Sequence, residues 1–110
     1  AKTPESTDWQ QIVALYGLLD ARFGTPIIEL NRAVAISMAE GPTRGLRLVD
    51  SLSARGELHD YYLLYAAGAD LLRRLHQYPE ARINYQKAIC LTRNSAEKKF
   101  LESRLQRLPD

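Results

Sequence analysis

Two stretches of this chain carry one pattern in different residues, 36 positions apart. Ala33 corresponds to Ala69, Ile36 to Leu72, Gly45 to Ala81, Val49 to Tyr85 and Leu52 to Ala88. In both copies small residues stand where two helices must approach closely, and bulky residues one turn away fill the space beside them. A period of roughly 34 residues built this way is a helix-pair repeat, whose units stack because none can bury its apolar face alone. Such stacks usually present docking surfaces, so the first expectation is a binding module.

The punctuation of the chain agrees with this period. Thr7 or Asp8 can cap a leading helix, with Gln10 or Gln11 as reciprocal partner. Trp9, Ile12, Val13, Tyr16, Leu19 and Phe23 then recur at helical spacing until Gly24. Thr25-Pro26 restarts the chain, because proline in the first turn loses only a donor that has no partner there. Gly41-Pro42 separates the second helix from a third that stops near Gly56, and Asp60 is the expected cap of a fourth. Pro79 is expected as the first residue of the fifth helix, and Asn94-Ser95 as the start of a sixth with Phe100, Leu101, Leu105 and Leu108 on its apolar side. No segment alternates apolar and polar residues between turn signals, so no strand is expected. The predicted organisation is a linker remnant at 1–6, a leading helix at 7–24, a first hairpin at 26–56, a second at 60–93 and a capping helix at 95–108. Ala1 in place of methionine, followed by a polar run, reads as a domain cut from a longer protein.

Composition narrows the function. A chain of 110 residues with 45% hydrophobic and 25% charged residues can bury a core without disulfides or metal. Its 15 basic and 13 acidic residues are interspersed, which gives little general attraction to nucleic acid or anionic membranes. Cys90 is the single cysteine and, between Ile89 and Leu91, is expected to be a small buried thiol. No apolar run is long enough to span a bilayer and no signal pattern is present, which suggests a reducing cytoplasmic setting. His59 and His76 have no cysteine or carboxylate at helical ligand spacing, so no metal site is expected. No glycine-rich phosphate loop or activated nucleophile stands out either, and no cofactor or catalysis is expected.

Tyr65, Gly68, Ala69 and Leu72, followed by Ala81, Tyr85 and Ala88, resemble the tetratricopeptide repeat. His76 stands where that repeat usually has glycine, and Arg93 where it usually has proline. The resemblance implies an all-α fold, a right-handed stack of antiparallel helical hairpins with about six helices. A narrower resemblance joins Thr7 to Tyr16, Leu30-Asn31-Arg32-Ala33-Val34-Ala35, Gly41-Pro42 with Gly45-Leu46, and Tyr62-Leu63-Leu64 with Ala69 to Leu75. In that order these motifs are similar to the C-terminal helical extension of bacterial extracytoplasmic-function (ECF) sigma factors. This resemblance implies a non-catalytic domain that modulates transcription initiation by contact with the sigma core, RNA polymerase or a small partner protein. DNA would be contacted through the sigma core, and oligomeric state is left open.

In helical-hairpin repeats the first helix of each pair lines the concave face. Ile27, Leu30, Val34, Ser37 and Met38 should therefore align with Leu63, Ala66, Asp70, Arg73 and Arg74. The expected partner-binding residues are Asn31, Arg32, Val34, Met38, Leu63, Asp70, Arg73 and Arg74. Arg32, amid apolar neighbours, needs a carboxylate, for which Asp70 and Glu29 are the candidates, in a pair tying the first helix to the second or in partner recognition. Two alternatives stay open: an auxiliary nucleic-acid surface built on Arg73, Arg74 and the basic side of the sixth helix, and a self-associating helical scaffold.

Overall fold

A computed structural model describes residues 7–109. The expected linker remnant at 1–6 lies outside them. The six helices are α1 (Trp9–Phe23), α2 (Pro26–Glu40), α3 (Pro42–Arg55), α4 (Tyr62–Arg74), α5 (Tyr78–Leu91) and α6 (Ser95–Gln106). No strand occurs among the described residues.

Three of the six starts are fixed by side-chain caps. Asp8 accepts the Gln11 N–H at 3.0 Å, Thr25 the Ile28 N–H at 3.2 Å, and Asn94 the Glu97 N–H at 3.0 Å. Each satisfies a donor that the first turn of a helix leaves without a partner. Asp60 does not cap α4, contrary to expectation. The Tyr61 N–H bonds the Leu58 carbonyl at 2.9 Å, and this turn moves the helix start beyond Asp60, leaving Tyr61 as an extended cap residue without a side-chain bond. Tyr78, not Pro79, opens α5. Proline is tolerated one position further in because the second amide of a helix also lacks a partner within it.

α4 ends in a Schellman motif that uses histidine where glycine is usual. The Gln77 N–H reaches the Leu72 carbonyl at 2.9 Å and the His76 N–H reaches the Arg73 carbonyl at 3.0 Å. His76 accordingly holds φ +61°, a conformation that an L-residue adopts at a cost of about 1 kcal/mol. Its ring compensates by pairing Nδ1 with the Tyr78 hydroxyl at 2.6 Å.

Each helix packs on the next in sequence, and α2 also touches α4. Within the first repeat copy Gly45 meets Ser37, while Arg55 reaches back to Glu29 with a bidentate pair at 2.6 and 3.2 Å. Helices α2 and α3 therefore run in opposite directions. Within the second copy Gly68 faces Asn84 and Lys87 lies 4.6 Å from the centre of the Tyr65 ring, so α4 and α5 do likewise.

All ten residues of the repeat correspondence are buried. Eight of them divide between two clusters: Ala33, Val49 and Leu52 join Leu30 and Leu64 in one, from α2 to α4, and Ala69, Leu72, Ala81, Tyr85 and Ala88 join Leu101 in the other, from α4 to α6. Helix α4 contributes to both, and Leu46 and Tyr65 pack against both. Burial of each large side chain contributes about 1.5–3 kcal/mol, so α4 is the element whose loss would expose most of the core.

Three expectations about burial are corrected. Leu19 and Phe23 are 41% and 58% exposed, because α1 packs chiefly on α2 and has one covered side. Phe100 is 53% exposed, and the contact is made by Leu101 and Leu105 on α6 and by Leu108 just beyond its end. Cys90 is exposed, since the inward side of α5 is set by Ala81, Tyr85 and Ala88 and two residues past Ala88 the helix has turned away. No helix is long and apolar enough to cross a membrane.

Candidate functional site

An apolar hollow of about 580 Å³ takes its walls from five helices. Trp9, Ile12 and Tyr16 come from α1, and Leu30, Asn31 and Val34 from α2. Leu63, Ala66 and Asp70 come from α4, Tyr85 from α5, and Glu97, Phe100 and Arg104 from α6. Val34, Leu63 and Phe100 are each more than a third exposed although they are apolar. A concave apolar lining with a few polar groups at its edge is the usual construction of a recognition site.

The repeat register explains how α2 and α4 meet here. Leu30 and Ala66 occupy matching positions, as do Val34 and Asp70, and all four line the hollow. The other two helical walls come from outside the repeat: α1 brings an aromatic and aliphatic edge, and α6 brings Phe100 beneath the Arg104 guanidinium, 5.3 Å from the ring centre. The spacing of Trp9, Ile12 and Tyr16 marks an inward side of α1, which is the signal that identifies this wall. Phe100 reads as core by the same spacing and is instead part of the surface.

The expected site residues do not form one surface. Asn31, Val34, Leu63 and Asp70 line the apolar hollow. Arg73 and Arg74 do not; they line a second hollow of about 600 Å³, together with Arg104 and Arg107. Met38 lies in neither lining, with Sδ 3.8 Å from Arg74 Nη1. Ser37 is buried and donates its hydroxyl to the Val34 carbonyl at 2.6 Å.

Arg32 pairs with neither Asp70 nor Glu29. Its Nη1 lies 3.7 Å from Asp20 on α1, while Glu29 is held by Arg55 and Asp70 by Arg73 and Arg74. The reason is direction: the side chain leaves α2 toward α1, where Gly17 gives it room. The pair thus joins the leading helix to the second, and at this distance and exposure it contributes little.

Between the two hollows stands a charged partition. Arg73 Nη2 donates to Asp70 Oδ1 at 2.6 Å, and this bond raises the pKa of Arg73 and holds it charged. Burial pushes the Tyr85 hydroxyl above its ordinary pKa, with the neighbouring Arg73 guanidinium acting in the opposite direction. Asp70 and Tyr85 face the apolar hollow, Arg73 and Arg74 the basic one, and Arg104 lines both. Among the described residues no group of three or more His, Cys, Asp or Glu side chains stands close enough to hold a metal ion.

The chain is 37% identical over 108 residues to an uncharacterized protein of Rhizobium meliloti (strain 1021), an alignment that covers 98% of the chain. The same alignment covers 25% of that relative, so the chain spans about a quarter of the length of the protein it matches. No protein-family model matches the chain, and no solved structure matches it.

Proposed function

We propose that this chain is a non-catalytic protein-docking domain of the kind that extends ECF sigma factors, a tetratricopeptide-like stack of antiparallel hairpins acting in the cytoplasm. The observation that carries the reading is the apolar hollow with Val34, Leu63 and Phe100 exposed in its lining. Large apolar side chains kept at a concave surface bind best when a partner removes them from water, at about 25 cal/mol per Å² buried. Asp70, Asn31 and Glu97 around them supply the polar contacts that set register. The motif order Leu30-Asn31-Arg32-Ala33, Gly41-Pro42 and Tyr62-Leu63-Leu64 supports the sigma-factor assignment. The match to a quarter of a longer protein accords with a module that works beside other domains.

In this reading the occupant is an apolar segment of the promoter-recognising sigma core, and contact with it modulates transcription initiation. The site requires no metal or cofactor. Trp9, the single tryptophan of the chain, lines the hollow and reports on its filling. Addition of the purified sigma core should shift Trp9 emission to shorter wavelength and give a complex that survives added salt. Leu63→Asp and Phe100→Asp, both at exposed positions, should each weaken binding about tenfold or more while leaving the melting temperature unchanged. Binding to promoter fragments with a steep salt dependence and no response to Leu63→Asp would instead establish the nucleic-acid reading.

A further inference from the structure

The second hollow has a lining chemistry opposite to the first. Four arginines converge on it, Arg73 and Arg74 from the end of α4 and Arg104 and Arg107 from the end of α6, and His76 joins them from the turn that follows α4. Among the described residues no aspartate or glutamate lines it. Among the described residues the carboxylate engaging these arginines is Asp70, 2.6 Å from Arg73 and 3.8 Å from Arg74, one negative charge against four guanidinium groups.

Like charges gathered in a concavity repel each other, and the repulsion is relieved when an anion enters. The cluster also has unused donor capacity: each guanidinium carries five N–H donors, and the hydrogen bond from Arg73 to Asp70 takes up a single one of them. Guanidinium forks match phosphate oxygens with two parallel bonds, which a carboxylate takes up once per group and a diphosphate several times. Each phosphate group carries about −1.5 to −2 charges at neutral pH, so two linked phosphates balance the cluster where one carboxylate does not.

From these observations we infer that the hollow formed by Arg73, Arg74, Arg104 and Arg107 is a binding site for a diphosphate group. A volume of about 600 Å³ accommodates the diphosphate with a small organic group attached. Tyr78 and Leu108 supply an aromatic and an aliphatic surface beside the arginines for such a group. The arginines meet in one hollow and do not form a stripe: Lys98 and Lys99, also on α6, are absent from its lining. That distribution suits a compact ligand more than the extended backbone of a nucleic acid. The inference does not depend on the docking reading, because of the residues lining this hollow only Arg104 also lines the apolar one.

The test is calorimetric titration of the whole chain with inorganic pyrophosphate, adenosine diphosphate and inorganic phosphate at low ionic strength. Pyrophosphate should bind at one site per chain and inorganic phosphate about tenfold or more weakly. Tighter binding of adenosine diphosphate than of pyrophosphate identifies a nucleotide as the source of the diphosphate, and the reverse identifies the free anion. Arg74→Gln with Arg107→Gln should weaken pyrophosphate binding about tenfold or more, whereas Lys98→Gln with Lys99→Gln removes as much charge and should leave it unchanged. Circular dichroism of both double variants establishes that they fold. The inference is overturned if pyrophosphate gives no saturable heat. It is equally overturned if the two double variants lose affinity alike, or if a DNA duplex binds and pyrophosphate does not displace it.

Discussion

The two repeat copies reach similar helix pairs by different chemistry, and the places where they differ show which residues set the geometry. In the first copy, α2 and α3 approach until no side chain fits at Gly45: a Cβ built there falls 2.4 Å from Ser37 Cβ and 3.2 Å from the Ala33 carbonyl oxygen. The matching position in the second copy is Ala81, which is fully buried with its methyl group in place. The interhelical turns differ as well. Gly41 alone links α2 to α3, at φ +101°, whereas α4 ends through the Schellman motif of His76 and Gln77. A third contrast lies at Arg32 and its counterpart Gly68. Arg32 sends a long side chain to Asp20 and Gly17 on the preceding helix, whereas Gly68 lets the preceding helix bring Val49 Cγ1 within 3.8 Å of the space its own side chain would occupy. At both junctions a glycine faces a larger residue, but it sits on α1 in one and on α4 in the other. An added Cβ would stand at ordinary contact distance from Arg32 at one junction and from Val49 at the other, so neither glycine sets the spacing there as Gly45 does between α2 and α3.

The largest effect should come from Gly45→Ala, which forces α2 and α3 apart and is expected to destabilise the protein by about 2–3 kcal/mol in urea unfolding. Adding Ser37→Gly removes the Cβ that the new methyl meets, and the double variant should recover about 1 kcal/mol beyond additivity. Equal stability of Gly45→Ala and the parent protein would erase the first contrast. A smaller change is expected at the turn. His76→Gly relieves the positive φ and should raise the unfolding free energy by up to about 1 kcal/mol, less what the Tyr78 contact contributes. A loss of stability there would mean that the histidine–tyrosine pair outweighs the backbone strain. Smallest of all, a double-mutant cycle between Arg32→Ala and Asp20→Ala should give a coupling of about 0.5 kcal/mol or less, as for other exposed pairs. A coupling several times larger would make this pair a principal fastening of α1.

Six helices and their order were legible because their signals are local. Asp8, Thr25 and Asn94 act within one turn of themselves, proline and glycine act on their own backbone, and the buried repeat residues follow from helical periodicity. Where a second local interaction competes, the reading shifts by a residue or two, as at Asp60, displaced by the Tyr61–Leu58 turn. The candidate site was legible in half. Asn31, Val34, Leu63 and Asp70 could be grouped from the repeat register, but their walls on α1 and α6 lie outside the repeat. Periodicity tells which side of a helix is apolar; it does not tell whether a neighbour will cover that side. Hence Leu19, Phe23 and Phe100, read as inward, are exposed.

What the amino-acid sequence determined by itself is the set of helices, their ends to within a residue or two and the ten repeat residues that are buried, because each depends on interactions a few residues apart or on a single repeated spacing. Tertiary structure alone decided which charges meet. Asp20 rather than Asp70 or Glu29 faces Arg32, and Arg104 and Arg107 join Arg73 and Arg74 around one hollow. Residues some 30 positions apart become neighbours only through the angle at which helices cross, and the distance between charges, which sets the strength of their interaction, is fixed at that step.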